Sequence, residues 1–124
     1  MFKTKSFARF ARSERISDAS LGEAVRRVER GLIDADLGGG VIKQRVARPG
    51  QGKSGGYRVL VGYRAKVRSV FLFGFAKSAR ENIDDDELAS LQEIAKAWLA
   101  ADWAVMSRAV QAEEVQEVKY EEEG

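Results

Sequence analysis

Hydrophobic residues recur along the chain with two different periods, and the change of period divides it into elements. Phe2 to Phe7 is compatible with an opening strand, and Phe7 to Arg12 with a short helical turn. From about Ser20 to Leu32, Leu21, Val25, Val28 and Leu32 fall at helical spacing, with Arg26, Arg27 and Arg30 on other faces. Two starts are open: Ser17 as N-cap with Leu21 four residues on, or Ser20 with Glu23 closing a capping box. Gly31 and Gly38-Gly39-Gly40 then end helical structure.

Three segments with strand character follow. Val41 to Ala47 carries β-branched residues among Lys43 and Arg45. Tyr57 to Tyr63 alternates, with Tyr57, Val59, Val61 and Tyr63 on one face and Arg58 and Leu60 on the other. Ser69 to Phe75 is apolar almost throughout, the mark of a central strand covered on both faces. Arg48 to Gly56, with one proline and four glycines, is an open hairpin loop, and Tyr63 to Arg68 is a shorter connection. The expectation is an antiparallel meander.

A further helix opens at Asp84, with Glu87 placed to close a capping box and Ile83 to staple against Leu88. Leu88, Leu91, Ala95 and Trp98 make its inward stripe, which continues towards Asp102 or beyond. Glu114 to Tyr120 is compatible with a last edge strand, and Glu121-Glu122-Glu123 with a solvated end. The fold expected is α+β: a small antiparallel sheet packed by two N-terminal helical segments and a C-terminal helix. Residues 1–124 form one domain, with 113–124 an acidic tail or edge strand.

Composition narrows the chemistry. The chain has 124 residues, 44% hydrophobic and 32% charged, as in folded proteins. It contains no cysteine and no histidine. Disulfides, thiolate metal sites and imidazole acid–base catalysis are therefore excluded. No metal or other cofactor is expected. No apolar run is long enough to span a membrane, and Met1-Phe2-Lys3-Thr4-Lys5 leads into no signal-peptide core, so the expected location is the cytoplasm. The net charge of +2 conceals an asymmetry: up to Arg80 there are 18 basic and 6 acidic residues, beyond it 3 basic and 13 acidic. This is the pattern of a polyanion-binding body with an acidic end.

The segment from Arg45 to Arg58 places four cations within fourteen residues, among glycines that allow close approach of a backbone. Gly52-Lys53-Ser54 matches the end of a nucleotide-binding P-loop. Ala47 stands where its first glycine is required, however, and a strand follows where a helix is needed. That reading is rejected.

Gly52-Lys53-Ser54-Gly55-Gly56-Tyr57-Arg58 entering a strand resembles the RelE/HigB toxins of toxin–antitoxin systems. So do Phe71-Leu72-Phe73-Gly74-Phe75-Ala76-Lys77-Ser78 and a helix opening Asp85-Asp86-Glu87-Leu88. The likeness runs from about Phe2 to Leu99 in element order, with its diagnostic residues between Arg45 and Arg80. It implies a small sheet flanked by helices, RNA bound over a basic face, and an antitoxin partner. Arg58 matches the arginine that opens the family's Gly-Tyr-Arg strand, and Lys53 a basic residue of the preceding loop. Lys77 matches the lysine after the aromatic strand, and Arg80 a basic residue just beyond. Two departures stand out. Ser78 occupies a position where some members carry arginine, and Glu81 to Asp86 replaces a stretch that supplies a base-stacking tyrosine.

RNA carries its own nucleophile, the 2′-hydroxyl. A protein need only help remove its proton, stabilise the phosphorane and protonate the departing 5′-oxygen. The expected roles are Lys53 as base, Arg58 as phosphate clamp, and Lys77 or Arg80 as leaving-group assistance. Lys43, Arg45, Arg48, Ser54, Tyr57 and Ser78 are expected RNA contacts. The expected partners are mRNA, the ribosome and the antitoxin, with no membrane and no small-molecule cofactor.

Each assignment has a plainer rival. Surface lysines and arginines often serve solubility alone, and Arg26, Arg27 and Arg30 fit a solvated helix face. Tyr57, Tyr63, Phe71, Phe73 and Phe75 fit a core better than a base-stacking platform. Asp84 to Glu87 fits helix capping better than magnesium. Trp98 and Trp103 cannot both face one core on a regular helix, so one can mark a partner surface. Two other functions remain: a ParE-like toxin that binds DNA gyrase, or a module that binds nucleic acid without cleaving it. Glu113 to Glu123 can be a solubilising tail or an internal RNA mimic folded over the basic face.

Overall fold

The structure, a computed structural model, describes residues 1–47 and 56–120. The chain opens with strand β1 (Phe2–Thr4) and turns directly into helix α1 (Lys5–Glu14). Thr4 ends the strand and caps the helix, its hydroxyl accepting from the Phe7 N–H at 3.2 Å. Arg15 stops α1 in the left-handed region, at φ 57°. Helix α2 (Asp18–Glu29) starts at Ser17, which settles the choice of cap, and its hydroxyl accepts from the Ser20 N–H at 3.1 Å.

Strands β2 (Ala35–Gly38), β3 (Val41–Val46), β4 (Tyr57–Arg64) and β5 (Arg68–Ala76) follow, then helices α3 (Asp85–Ala100) and α4 (Trp103–Gln111) and strand β6 (Val115–Glu117). They form one six-stranded sheet in the order β2-β3-β4-β5-β1-β6. The expected meander is β3-β4-β5, all antiparallel. Two parts of the expectation need correction. β1 runs parallel to β5, because α1 and α2 carry the chain away before the central strands form. The C-terminal helix is two helices: Asp102 breaks the run and caps α4, accepting from the Val105 N–H at 2.8 Å.

The sheet is covered on both faces, as the apolar β5 requires. On one face Leu21, Ala24, Val25 and Val28 of α2 and Phe7 and Ala11 of α1 meet Ile42, Val46, Tyr57, Val59, Val61 and Phe71. On the other, Ala95 of α3 and Met106 and Ala109 of α4 meet Val41, Leu60, Val70 and Leu72. An irregularity between Leu60 and Val61 sets Leu72 and Phe73 towards the same face. Arg68 fastens the break between the last helices, its Nη1 donating to Trp98 O at 2.5 Å and Ala101 O at 2.7 Å. Trp98 is half-buried against the core, while Trp103, beyond the break, is 69% exposed.

The C-terminal stretch is clasped to the far edge of the sheet. β6 pairs with β1, the Val118 N–H donates to Met1 O, and the Lys119 N–H donates to Asp18 Oδ2. Partial burial alone would raise the Asp18 carboxyl, but hydrogen bonds from Lys3 and Lys119 outweigh it and hold it below its ordinary value. The Tyr120 ring lies against Gly22, where a Cβ would stand 2.1 Å from it, and its hydroxyl donates to Glu23 Oε1 at 2.8 Å. The edge-strand reading is therefore right. The RNA-mimic reading fails for 113–120, which lie with β1 and β5 between them and β4.

Candidate nucleic-acid interface

Alternation along the strands decides which cations share a surface. Gln44, Val46, Tyr57 and Val59 face α1 and α2, so Lys43, Arg45, Arg58 and Leu60 face the other way. Register then aligns them: Arg45 pairs with Arg58, and Arg58 with Phe75. α3 packs over the opposite end of these strands, with Ala95 against Gly62 and Gln92 against Gly39. The row Arg45–Arg58–Phe75 thus sits at the other end of the sheet from that contact.

Two arginines directly opposite on one face repel each other, and a sheet selected for stability alone avoids the arrangement. Here both are also short of acceptors. Among the described residues, Arg45 Nε and Arg58 Nη1 are buried without a hydrogen-bond partner. Arg58 is 7% exposed, and its ion pair is a loose one, Nε to Asp34 Oδ2 at 3.7 Å. A buried guanidinium with an unmet N–H is costly, and an incoming anion relieves that cost.

Beyond β5 the chain turns back over this row. The exposed Lys77 is tied by its N–H to Gly56 O at 3.2 Å, so it stands beside the entry of β4. Ser78 is exposed in the following turn. The Arg80 guanidinium lies over Phe75, 5.7 Å from the ring centroid, and grips Glu87 with Nη1 at 3.1 Å and Nη2 at 2.6 Å. Its Nε donates to Asn82 O. Glu87 in turn closes the capping box with Asp84, so one carboxylate joins the loop to the start of α3. The hydrogen bonds from Arg80 and the Asp84 backbone hold Glu87 at about 2, well below its ordinary range. Capping, the expected role of Asp84 and Glu87, is what the geometry shows.

The structure therefore gathers Arg45, Arg58, Phe75 and Arg80, with Lys43 on the same face two residues from Arg45 and Lys77 at the margin. It corrects one expected contact. Tyr57 is 1% exposed on the opposite face, edge-on to Phe10 within the core under α1, and cannot meet RNA on the cationic face. Arg48, Lys53 and Ser54 lie outside the described residues. Sequence reasoning missed Asp34 and Gln44. The signal available was a lone glutamine among β-branched residues of β3, which is now buried and hydrogen-bonded to the segment that carries Asp34.

The fold is a small α+β domain with Arg45 and Arg58 paired across two strands at one end of its sheet. The chain belongs to the RelE toxin family: the model for the RelE toxin of the RelE/RelB toxin–antitoxin system matches residues 1–118. It is a toxin of a toxin–antitoxin system and has an antitoxin as partner. No curated protein matches the chain at a significant level. Among the described residues no helix is long and apolar enough to cross a membrane.

Proposed function

We propose that this toxin is an endoribonuclease that cleaves mRNA on the ribosome by metal-independent attack of the 2′-hydroxyl on the adjacent phosphate. The reading rests above all on the Arg45–Arg58 pair, two arginines in register on adjacent strands, each with a buried N–H that has no partner among the described residues. Arg58 clamps the scissile phosphate and stabilises the charge that builds on the phosphorane. Arg45 and Lys43 guide the backbone across the strands, with Arg48, Ser54 and Ser78 as further contacts. Lys53 takes the proton from the 2′-hydroxyl.

Lys77 supports the departing 5′-oxygen. Arg80 is the weaker choice for that role, because its guanidinium is already committed to Glu87, Asn82 and Phe75. It braces the loop that carries Lys77. The products carry a 2′,3′-cyclic or 3′-phosphate and a 5′-hydroxyl, and the site of action is the cytoplasm.

The test is cleavage of an mRNA with a single 2′-deoxy sugar at the cut position, on translating ribosomes. The modified message must remain whole while the unmodified one is cut. Cleavage of both would exclude 2′-hydroxyl attack, and cleavage of neither would favour a gyrase-binding or purely nucleic-acid-binding chain.

A further inference from the structure

Asp34 stands outside every strand and helix, yet it is the carboxylate that faces the buried Arg58 at 3.7 Å. It does not reach that position by chance packing. Gln44, 3% exposed and pointing away from the cationic face, donates its amide to Ala24 O at 3.1 Å and Leu32 O at 2.9 Å. Its carbonyl accepts the Asp34 N–H at 3.0 Å. One buried side chain of β3 thus ties the middle of α2, the turn after it and the Asp34 backbone to the strand that carries Lys43 and Arg45.

The consequence falls on Arg58. Its Nε side meets Asp34, while Nη1 has no acceptor among the described residues. A long arginine side chain facing another arginine is otherwise driven to swing away from it. A carboxylate 3.7 Å from Nε makes no hydrogen bond, but its charge biases the guanidinium towards the Asp34 side against that swing.

We infer that Asp34, held by Gln44, is the positioning residue for Arg58. It sets the guanidinium in the orientation that receives the phosphate, without touching RNA. The inference rests on the ribonuclease reading for its kinetic consequence, but the contact itself can be measured without RNA.

The test is Asp34→Asn, which keeps the backbone N–H that Gln44 accepts and removes only the charge. Three quantities are compared with wild type: kcat on translating ribosomes carrying a defined mRNA, the Kd for that mRNA with 2′-deoxy sugar at the cut site, and the NMR signal of the Arg58 Nε–H. The variant should melt below wild type, because the buried Arg58 loses its counter-charge, yet stay folded at the assay temperature and bind the uncleavable message no more weakly. Its kcat should fall about 10- to 100-fold, as misplacing a transition-state group does, and its Arg58 Nε–H should exchange faster. An unchanged kcat, or a kcat that falls only in step with Kd or folded fraction, would overturn the inference. If wild type cleaves nothing, the ribonuclease reading fails by itself. The Arg58 signal then decides: faster exchange in the variant keeps Asp34 as its anchor, and an identical signal removes it.

Discussion

Replacing Arg58 by methionine should leave the protein at least as stable as it was while abolishing its activity. The electrostatic terms on this side chain oppose one another. Asp34 at 3.7 Å attracts it, worth about 4 kcal/mol at an effective dielectric of about 20. Arg45 across the strand pair repels it by about 2 kcal/mol if the charges stand roughly 7 Å apart. Removing a guanidinium from water costs several kcal/mol more, and that cost is repaid only when its donors are met. Here Nη1 is unmet. Methionine fills the same space without charge and leaves Asp34, whose side chain is 30% exposed, to be hydrated.

Buried charges replaced in this way commonly give stabilisation, and about 1–2 kcal/mol is expected here. For a chain of this size that is a rise of roughly 3–10 °C in melting temperature. Thermal and guanidinium unfolding of wild type and Arg58→Met measures it directly. Added sulfate should stabilise wild type more than the variant, because only wild type offers the complete anion site. A loss of more than about 2 kcal/mol, the magnitude of a broken structural interaction, would show instead that Arg58 holds the sheet together.

Other variants probe the frame around the row. Arg68 is as buried as Arg58, at 8%, and its Nε also lacks a partner among the described residues, but its Nη1 is satisfied by two helix-end carbonyls; Arg68→Met should therefore destabilise by about 2–4 kcal/mol in the same unfolding assay. Glu87 is depressed from 4.5 to about 2 in the folded chain, so its contribution is complete above about pH 4.5 and is lost as pH falls through about 2. In unfolding measured against pH, Glu87→Gln should be less stable than wild type at neutral pH, with the gap closing by pH 2. Gly22→Ala would put a Cβ 2.1 Å from the Tyr120 ring and must displace it. Limited proteolysis should then trim the C-terminus faster while RNA cleavage is unchanged, whereas increased cleavage would revive the mimic idea.

Much of this architecture could be read from local pattern. β4 carries alternation, β3 β-branched residues, β5 an apolar run and α3 a capped start, and these signals locate the three strands and the start of α3 to within two residues. What escaped depended on long-range partners. β2 is four residues beside a glycine turn, with no alternation long enough to register, and it exists because β3 offers it an edge. The parallel pairing of β1 is set by where α1 and α2 deliver the chain. The split between α3 and α4 hinges on Asp102 within an apolar-rich run, where the cap and Arg68 act together.

The site followed the same division. Parity within β4 separates Arg58 from Tyr57 and so turns Tyr57 to the core, whereas placing Arg45 beside Arg58 takes the register of β3 on β4. The engagement of Arg80 by Glu87 and of Arg58 by Asp34 could not be read from spacing. Arg80 and Glu87 meet through the turn of the loop into α3, while Arg58 and Asp34 meet only when β4 joins the sheet beside β3.

Whether Arg58 serves RNA cleavage is tested by brief induction of the chain in growing cells. Translation and mRNA ends would be followed for wild type, Arg58→Ala and Lys53→Ala. The expected result is arrest of translation with new mRNA ends bearing 5′-hydroxyls, abolished by Arg58→Ala and reduced by Lys53→Ala. Arrest with intact mRNA, or new ends that persist in Arg58→Ala, would contradict it.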